Sequence, residues 1–236
     1  MAIDLPFPIS RRIAIVGKAP SSLGLAPYHD DTWQIWTLSD LVLCGQAPRY
    51  DVQFELHDVG MLKRERPPYW DWLTRAQHKP LVVREAVPEL PGAIVFPKDE
   101  IVSIFGRYFT NTVSWLIALA IAREPEEIGV WGVDMACDQE YSHQRPSCEY
   151  FLGWAAGCGI TVTIPPQADL LKTPGLYGFD AGLSDMHAKW KARREELKRR
   201  VSEAETRRDQ AASEALFLSG ALDDAGYWGQ WCHGEK

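Results

Sequence analysis

The sequence has no CxxC pair, and its five cysteines, Cys44, Cys137, Cys148, Cys158 and Cys232, are an odd number at irregular spacings. This argues against a disulfide framework and fits reduced thiols in a cytoplasmic protein. No apolar run is long enough to span a bilayer. The opening MAIDLPFPIS lacks the basic start and the long apolar stretch of a secretory signal, so none is read there. Positive charge is in deficit: 25 Lys/Arg stand against 32 Asp/Glu, for a net charge of -7. That balance argues against broad, nonspecific nucleic-acid binding. Neither the P-loop pattern nor the three-glycine dinucleotide fingerprint occurs.

What is present fits a globular chain. With 236 residues, 46% hydrophobic and 24% charged, it has material for one α/β domain and an appendage. The boundary is read at 180/181, because residues 181–236 hold ten Lys/Arg and ten Asp/Glu, leaving all of the -7 on the first part. Ten tryptophans serve either as core or as stacking surfaces for a ring, and composition does not choose between them.

The stretch that organises the chain runs from Phe109 to Met135. Thr110, Asn111 and Thr112 suit a helix start. Val113 to Ala122 reads as a buried helix, stopped by Arg123-Glu124-Pro125. Ile128 to Val133 then reads as a buried strand delivering Asp134 at its carboxyl end. In open α/β sheets ligands sit outside the carboxyl ends of the strands. Strands are also expected at Arg12–Val16, Trp33–Leu38, Asp51–His57, Pro80–Arg84 and Thr161–Ile164. Helices are expected from about Tyr69 to Leu73 and from Ser147 to Cys158, the latter with Tyr150, Phe151, Trp154, Ala155 and Cys158 facing the core. Lys63–Pro68 and the proline-rich stretch after Arg84 read as loops. The alternation predicts a mostly parallel, Rossmann-like sheet covered by helices.

Chemistry gathers at the strand ends. Gly17-Lys18-Ala19-Pro20-Ser21-Ser22 is a glycine turn opening a helical start, where backbone N–H groups, Lys18 and two hydroxyls suit a phosphate; an ordinary βα turn is the competing reading. Ser39 and Asp40 close the second strand, and Glu55, His57 and Asp58 close the third. Between Asp134 and Pro146 lies a polar loop with Glu140, Tyr141, His143 and Arg145. His143 suits a general base, with Tyr141, Arg145 and Lys18 able to stabilise a leaving phosphate. Cys137, His143 and Cys148 fit no standard zinc spacing, so no metal is expected.

From Leu183 onward, apolar or small residues at 183, 186, 190, 197, 201, 204, 211, 215, 218 and 222 form a helical stripe, uninterrupted by glycine or proline through residue 219. Residues 183–219 are read as one long helix that pairs with a second copy, as in a coiled coil. The basic cluster Lys189–Arg200 is interleaved with acidic residues beyond it and reads as a solvated face. The aromatic end, Gly226 to Trp231, is expected to fold back onto the helix or onto a neighbouring subunit.

Three stretches together resemble one family. The Gly17–Ser22 turn, the Thr110-Asn111-Thr112 helix leading to Gly132-Val133-Asp134-Met135, and Ile164-Pro165-Pro166-Gln167-Ala168-Asp169-Leu170-Leu171 resemble, in order, the G-N-G-P-S turn, the T-S-G helix with its G-[IV]-D strand, and the closing C-P-x-S-x-L element of the bacterial lipooligosaccharide sialyltransferases. Domains similar to the archaeal hydroxymethylpterin pyrophosphokinase share these features, and uncharacterised tailed-phage proteins are of the same general kind, which would place the chain in a host cytoplasm. The resemblance covers residues 12–172. It implies a cytidine-type sugar nucleotide held by Gly17, Lys18, Pro20, Ser21, Ser22, Thr110, Asn111 and Thr112; Asp134, at its strand end, suits a ligand hydroxyl or the backbone N–H groups of its own loop. Ser39 and His57 stand in place of family asparagines, and with Asp40, which closes the second strand, they are expected to add ligand contacts. His143 falls where the family has its catalytic histidine. Lys18 and Ala19 replace an asparagine and a glycine. The expectation is a transferase that moves a group from a nucleotide-activated donor to a hydroxyl, without metal or other cofactor. A sequestering protein and a structural oligomer with a vestigial nucleotide fold are the alternatives.

Overall fold

The structure, a computed structural model, describes residues 3–75, 79–135, 140–173, 175–179 and 184–233. It divides into two compact units, residues 1–172 and residues 173–236.

The first unit is a doubly wound sheet. In chain order its elements are β1 (Arg12–Val16), β2 (Trp33–Leu38), β3 (Val52–Glu55), α1 (Val59–Glu65), α2 (Pro67–Thr74), β4 (Leu81–Val83), β5 (Ile94–Val95), α3 (Lys98–Phe105), α4 (Thr112–Ala122), β6 (Glu127–Trp131), α5 (Arg145–Gly157) and β7 (Thr161–Thr163). The sheet order is β5-β4-β3-β2-β1-β6-β7, and every pairing is parallel. Winding runs outward from β1 in both directions, so the order reverses between β1 and β6.

Burial on both faces explains the continuous apolar runs. In β1, Ile13, Ala14, Ile15 and Val16 are all fully buried. Ile13 and Ile15 join Trp36, Phe54 and the residues of α4 in the larger core. Ala14 and Val16 point the other way, into a cluster with Tyr28, Trp33, Ile35, Leu41 and Trp131. Helix α4 is buried nearly all round, the pattern of a central core helix. Asn111 caps it, its side-chain oxygen accepting from Ser114 N at 2.8 Å.

Several boundaries differ from the sequence reading, each for a local reason. The expected loop at Lys63–Pro68 contains the end of α1 and the start of α2. Asp58 caps α1, accepting from Met61 N at 2.9 Å, and Pro67 sits at the first position of α2. The proline-rich stretch carries the two-residue edge strand β5, set by pairing with β4. The buried face of α5 is Cys148, Phe151, Leu152 and Ala155, whereas Tyr150 and Cys158 are exposed.

The second unit is dominated by one helix, α6 (Ser184–His233), of 50 residues. It runs through Gly220, Gly226 and Gly229, so the aromatic end is part of the helix instead of folding back on it. A glycine costs about 1 kcal/mol inside a helix, too little here to break one with so many flanking turns. Among the described residues no helix is long and apolar enough to cross a membrane.

Candidate functional site

The reversal of strand order puts the candidate site at the carboxyl ends of β1 and β6. Here two glycine turns lie against one another. Gly17 N donates to Trp131 O at 2.8 Å, and Ala19 N donates to Gly132 O at 2.7 Å. A Cβ on Gly17 would sit 2.5 Å from Gly132 O, and one on Gly132 would sit 2.2 Å from Gly17 O. Gly132 also has φ +64°, where a side chain is strained. Both glycines are therefore required by close backbone approach.

The hydroxyls of the first turn are used internally. The fully buried Ser22 accepts from Gly132 N at 2.9 Å through its Oγ. Ser21 donates to the largely buried Asp134 carboxylate. Ser22 is thus a brace between turns, while Ser21 and Asp134 form a polar pair at the crevice wall.

Next to this wall, the ends of β1, β2 and β3 bring together a charged cluster. Lys18 Nζ pairs with Asp40 Oδ1. Arg66 Nη1 donates to Ser39 Oγ at 2.9 Å and lies 3.9 Å from Asp40 Oδ2. Burial pushes the Asp40 carboxyl up, but the Lys18 hydrogen bond and charge, with Arg66 behind them, hold it below its ordinary value. Ser39 has φ +56° and is buried. Its carbonyl accepts from Gln53 Nε2 at 2.7 Å, which offsets a backbone conformation that costs a serine free energy. Gln53 also accepts from Thr37 Oγ1 at 2.7 Å and donates to Tyr69 Oη at 3.1 Å, so α2 is tied to the sheet beneath the cluster.

His57 completes this edge. Its Nδ1 lies 2.5 Å from Glu55 Oε1, which also accepts from His57 N at 2.8 Å. The Glu55 side chain is 2% exposed and the His57 side chain 42%. The other Glu55 oxygen, Oε2, is buried, with no hydrogen-bond partner at ordinary distance among the described residues. The Glu55 hydrogen bond raises the His57 pKa above its ordinary value; burial and the nearby Arg66 and Lys18 charges pull the other way and are outweighed. A buried carboxylate on one ring nitrogen with the ring open to solvent is the arrangement that fixes a histidine tautomer and supports proton transfer from the other nitrogen.

The second expected turn is on the same edge of the sheet. Helix α4 runs back to the amino ends of the strands, where Glu126 N meets Arg11 O at 2.7 Å, so its start lies at the carboxyl edge. Its polar residues are committed locally. Thr110 Oγ1 is 2.6 Å from Ser147 Oγ, and Asn111 Nδ2 donates to Gln144 O at 3.0 Å. Thr112 opens the helix. The starts of α4 and α5 are thereby joined.

His143 has an exposed side chain on a single wide turn, Glu140–Gln144, before α5. Arg145 Nε donates to Glu149 Oε1 at 2.7 Å, and its Nη2 donates to Lys172 O at 2.9 Å. A phosphate would have to compete with these partners for Arg145. The Tyr141 side chain and Cys137 lie outside the described residues. Burial pushes the Cys148 thiol up to about 12, so it stays protonated at neutral pH.

Arg66, Gln53 and Tyr69 were not singled out from sequence. Arg66 had one available signal: it immediately precedes a Pro-Pro helix start, a position at the sheet edge in this topology. The Glu55–His57 contact, by contrast, falls at a strand end where the sequence leads one to expect a polar ligand contact, and its i, i+2 spacing sets both side chains toward one side.

No family model matches the chain, and no curated protein matches it. Solved structures do. The sialyltransferase CstII from Campylobacter jejuni, in complex with cytidine-5'-monophosphate, aligns at 13% identity and a TM-score of 0.43, over 75% of this chain and 99% of that one. The same enzyme with CMP-3FNeuAc aligns at 13% identity and a TM-score of 0.45, over 68% and 85% of the two chains. The monofunctional alpha-2,3-sialyltransferase Cst-I from the same organism gives 12% identity and a TM-score of 0.42, over 83% and 98%. Values this low transfer neither ligand nor residue roles; the α/β architecture stands on the chain's own all-parallel sheet.

Proposed function

We propose that the first unit binds a nucleotide-activated donor, of cytidine type by resemblance, across the carboxyl ends of β1, β2, β3 and β6, and transfers its activated group to a hydroxyl. The observation that carries this reading is the meeting of two cations, Lys18 and Arg66, with a carboxylate-supported histidine, His57, at the carboxyl ends of β1, β2 and β3, beside the point where strand order reverses. In the reaction the base takes the acceptor hydroxyl proton, and the acceptor oxygen bonds to the activated carbon. The bond from that carbon to the phosphate oxygen breaks, and the nucleotide leaves with the negative charge. Lys18 and Arg66 are suited to neutralise it. Asp134 and Ser21 are suited to hold ligand hydroxyls.

Two histidines compete for the role of base. His143 is favoured by the family resemblance. His57 is favoured by the Glu55 carboxylate 2.5 Å from its Nδ1, the partner that such a base needs. On this reading the chain also self-associates through residues 183–219, and neither metal nor other cofactor takes part.

The test has two parts. Cytidine mono- and diphosphates and cytidine sugar nucleotides are titrated against thermal stability; a ligand at 100 times its Kd should add about 2.7 kcal/mol to the native state. Lys18→Ala and Arg66→Ala should abolish most of that shift. Transfer from the stabilising donor is then assayed with His57→Ala and His143→Ala; loss confined to turnover identifies the base. No stabilisation by any phosphate-bearing ligand defeats the proposal. Stabilisation without transfer leaves a sequestering protein.

A further inference from the structure

Helix α6 carries a seam that the stripe of apolar positions only begins to describe. Counting in sevens from Trp190, the positions 190, 197, 204, 211, 218 and 225 hold Trp, Leu, Ala, Ala, Leu and Ala. The alternate positions 194, 201, 208, 215 and 222 hold Arg, Val, Arg, Ala and Leu. This is a heptad repeat kept over the described helix, the pattern that supercoils two helices about one another. Its larger members are uncovered: Val201 is 56% exposed, Leu218 58% and Leu222 73%.

The charges along the same helix are segregated by sign. Residues 184–208 hold nine Lys/Arg and five Asp/Glu; residues 209–233 hold no Lys/Arg and four Asp/Glu. Extending the expected self-association, on which this inference rests, we propose that α6 pairs with α6 of a second copy in antiparallel orientation, basic half against acidic half. The partner is thus a second copy of this chain, and the interface is isologous about a two-fold axis near residue 209.

Three features select this arrangement. In a parallel pair, Arg194 and Arg208 would each face their own copies inside the seam, and like halves would repel along the whole length. In an antiparallel pair centred between residues 209 and 210, Arg208 faces the partner's Ala211, and Arg194 faces the partner's Ala225. Long side chains then meet small ones, and their charged ends reach solvent. Leu197 meets the partner's Leu222 and Val201 meets the partner's Leu218, so the four large aliphatic residues pack in two symmetric pairs of layers. Beside the seam, Arg207 meets the partner's Glu214, and symmetry makes that ion pair twice. Sliding the pair by one heptad toward the amino end sets Arg207 against Arg207; sliding it the other way sets Glu214 against Glu214. Charge therefore fixes register as well as orientation. Leu216, Phe217 and Trp231 fall outside this seam and stay exposed.

The experiment uses the full chain. Sedimentation equilibrium should give a dimer, or an even multiple built from such dimers. Arg207→Glu and Glu214→Arg should each raise the dimer dissociation constant about tenfold, and the double variant should restore it. A nitroxide on Gln230→Cys, with Cys44, Cys137, Cys158 and Cys232 replaced by serine, should report a separation of about 60 Å, since the two labelled positions lie toward opposite ends of the pair. A label separation below about 20 Å, or a double variant weaker than both singles, overturns the antiparallel arrangement. A monomer or trimer overturns it as well. None of these outcomes touches donor binding, which is read by the nucleotide-dependent thermal shift of the first unit, and Arg207→Glu should leave that shift unchanged.

Discussion

Replacing Gly132 by alanine tests the claim that two glycine turns lock the site together. The new Cβ would lie 2.2 Å from Gly17 O, and the residue would keep φ +64°. Holding alanine in the left-handed region costs about 1–2 kcal/mol. The Gly17 carbonyl belongs to backbone and cannot swing aside as a side chain would. Relief of the overlap must part the turns, straining the hydrogen bonds from Gly17 N to Trp131 O and from Ala19 N to Gly132 O, each worth about 0.5–1.5 kcal/mol. The expected loss is about 3–4 kcal/mol, read as a lower midpoint in urea with little change in slope. Gly17→Ala removes the same clearance from the other side, with Cβ 2.5 Å from Gly132 O, but φ adds no strain of that kind there. It should cost about 1–2 kcal/mol less. Gly153→Ala is the internal control. It lies inside α5, and a Cβ meets nothing within 4 Å. Helix propensity should make that variant more stable by about 0.5–1 kcal/mol. If Gly132→Ala unfolds at the same urea concentration as Gly153→Ala, the turns are not locked and this account of the site wall is wrong.

Three further outcomes follow from particular contacts. Gln53→Leu takes the donor from the Ser39 carbonyl and the shared partner from the Thr37 and Tyr69 hydroxyls, and should lower stability by about 1–3 kcal/mol in chemical denaturation. Asn111→Ala removes the α4 cap and the bond to Gln144 O, costing about 1–2 kcal/mol by the same measurement, with earlier amide exchange at Val113 and Ser114. The Glu55–His57 pair raises the His57 pKa, so its stabilisation is complete below about 6.5 and fades as pH climbs through the raised value. Glu55→Gln should therefore flatten the loss of stability on the alkaline side, and an NMR titration should find the His57 pKa lower in the variant.

The parts of the fold that were legible in the sequence are those whose burial is complete. β1 and β2 agree with their runs of apolar residues because both faces of each strand are covered, so no alternation had to be guessed. α4 was legible for the same reason. β5 was not, since two residues at a sheet edge gain their conformation from β4 and carry no periodicity. α1 was obscured because Lys63 and Arg64, on a seven-residue helix, read as loop charge. At the site, Gly17 and Asp134 could be placed because strand ends are punctuated by glycine and acid. Arg66 could not, because its position depends on how α2 docks through Tyr69 and Gln53, a contact between segments. α6 was foreseen from its stripe, but its end was set at the first glycine, where summed propensity outweighs a single residue.

The site's internal pairing constrains how it can bind anything. Lys18 is engaged with Asp40, Arg66 with Ser39 and Asp40, and Ser21 with Asp134. An incoming phosphate gains Lys18 only by weakening the Lys18–Asp40 pair, and it brings negative charge toward Asp40 itself. Binding by this route should then take up a proton onto Asp40 or move its carboxylate toward Arg66, which already lies 3.9 Å away. The same charge would favour the protonated form of His57, whereas base catalysis needs the neutral form. A donor therefore activates the cluster only if Lys18 and Arg66 together outweigh the phosphate charge felt at His57. Arg66 is the residue on which this balance turns, being within reach of both Asp40 and Ser39 and opposing the rise of the His57 pKa. Arg66→Gln removes the charge along with the planar fork that spans the two partners. If the balance is as described, that variant should bind donor more weakly, and the acid limb of its pH–rate profile should move to higher pH. An unchanged limb would place the working base elsewhere, with His143 the first to test.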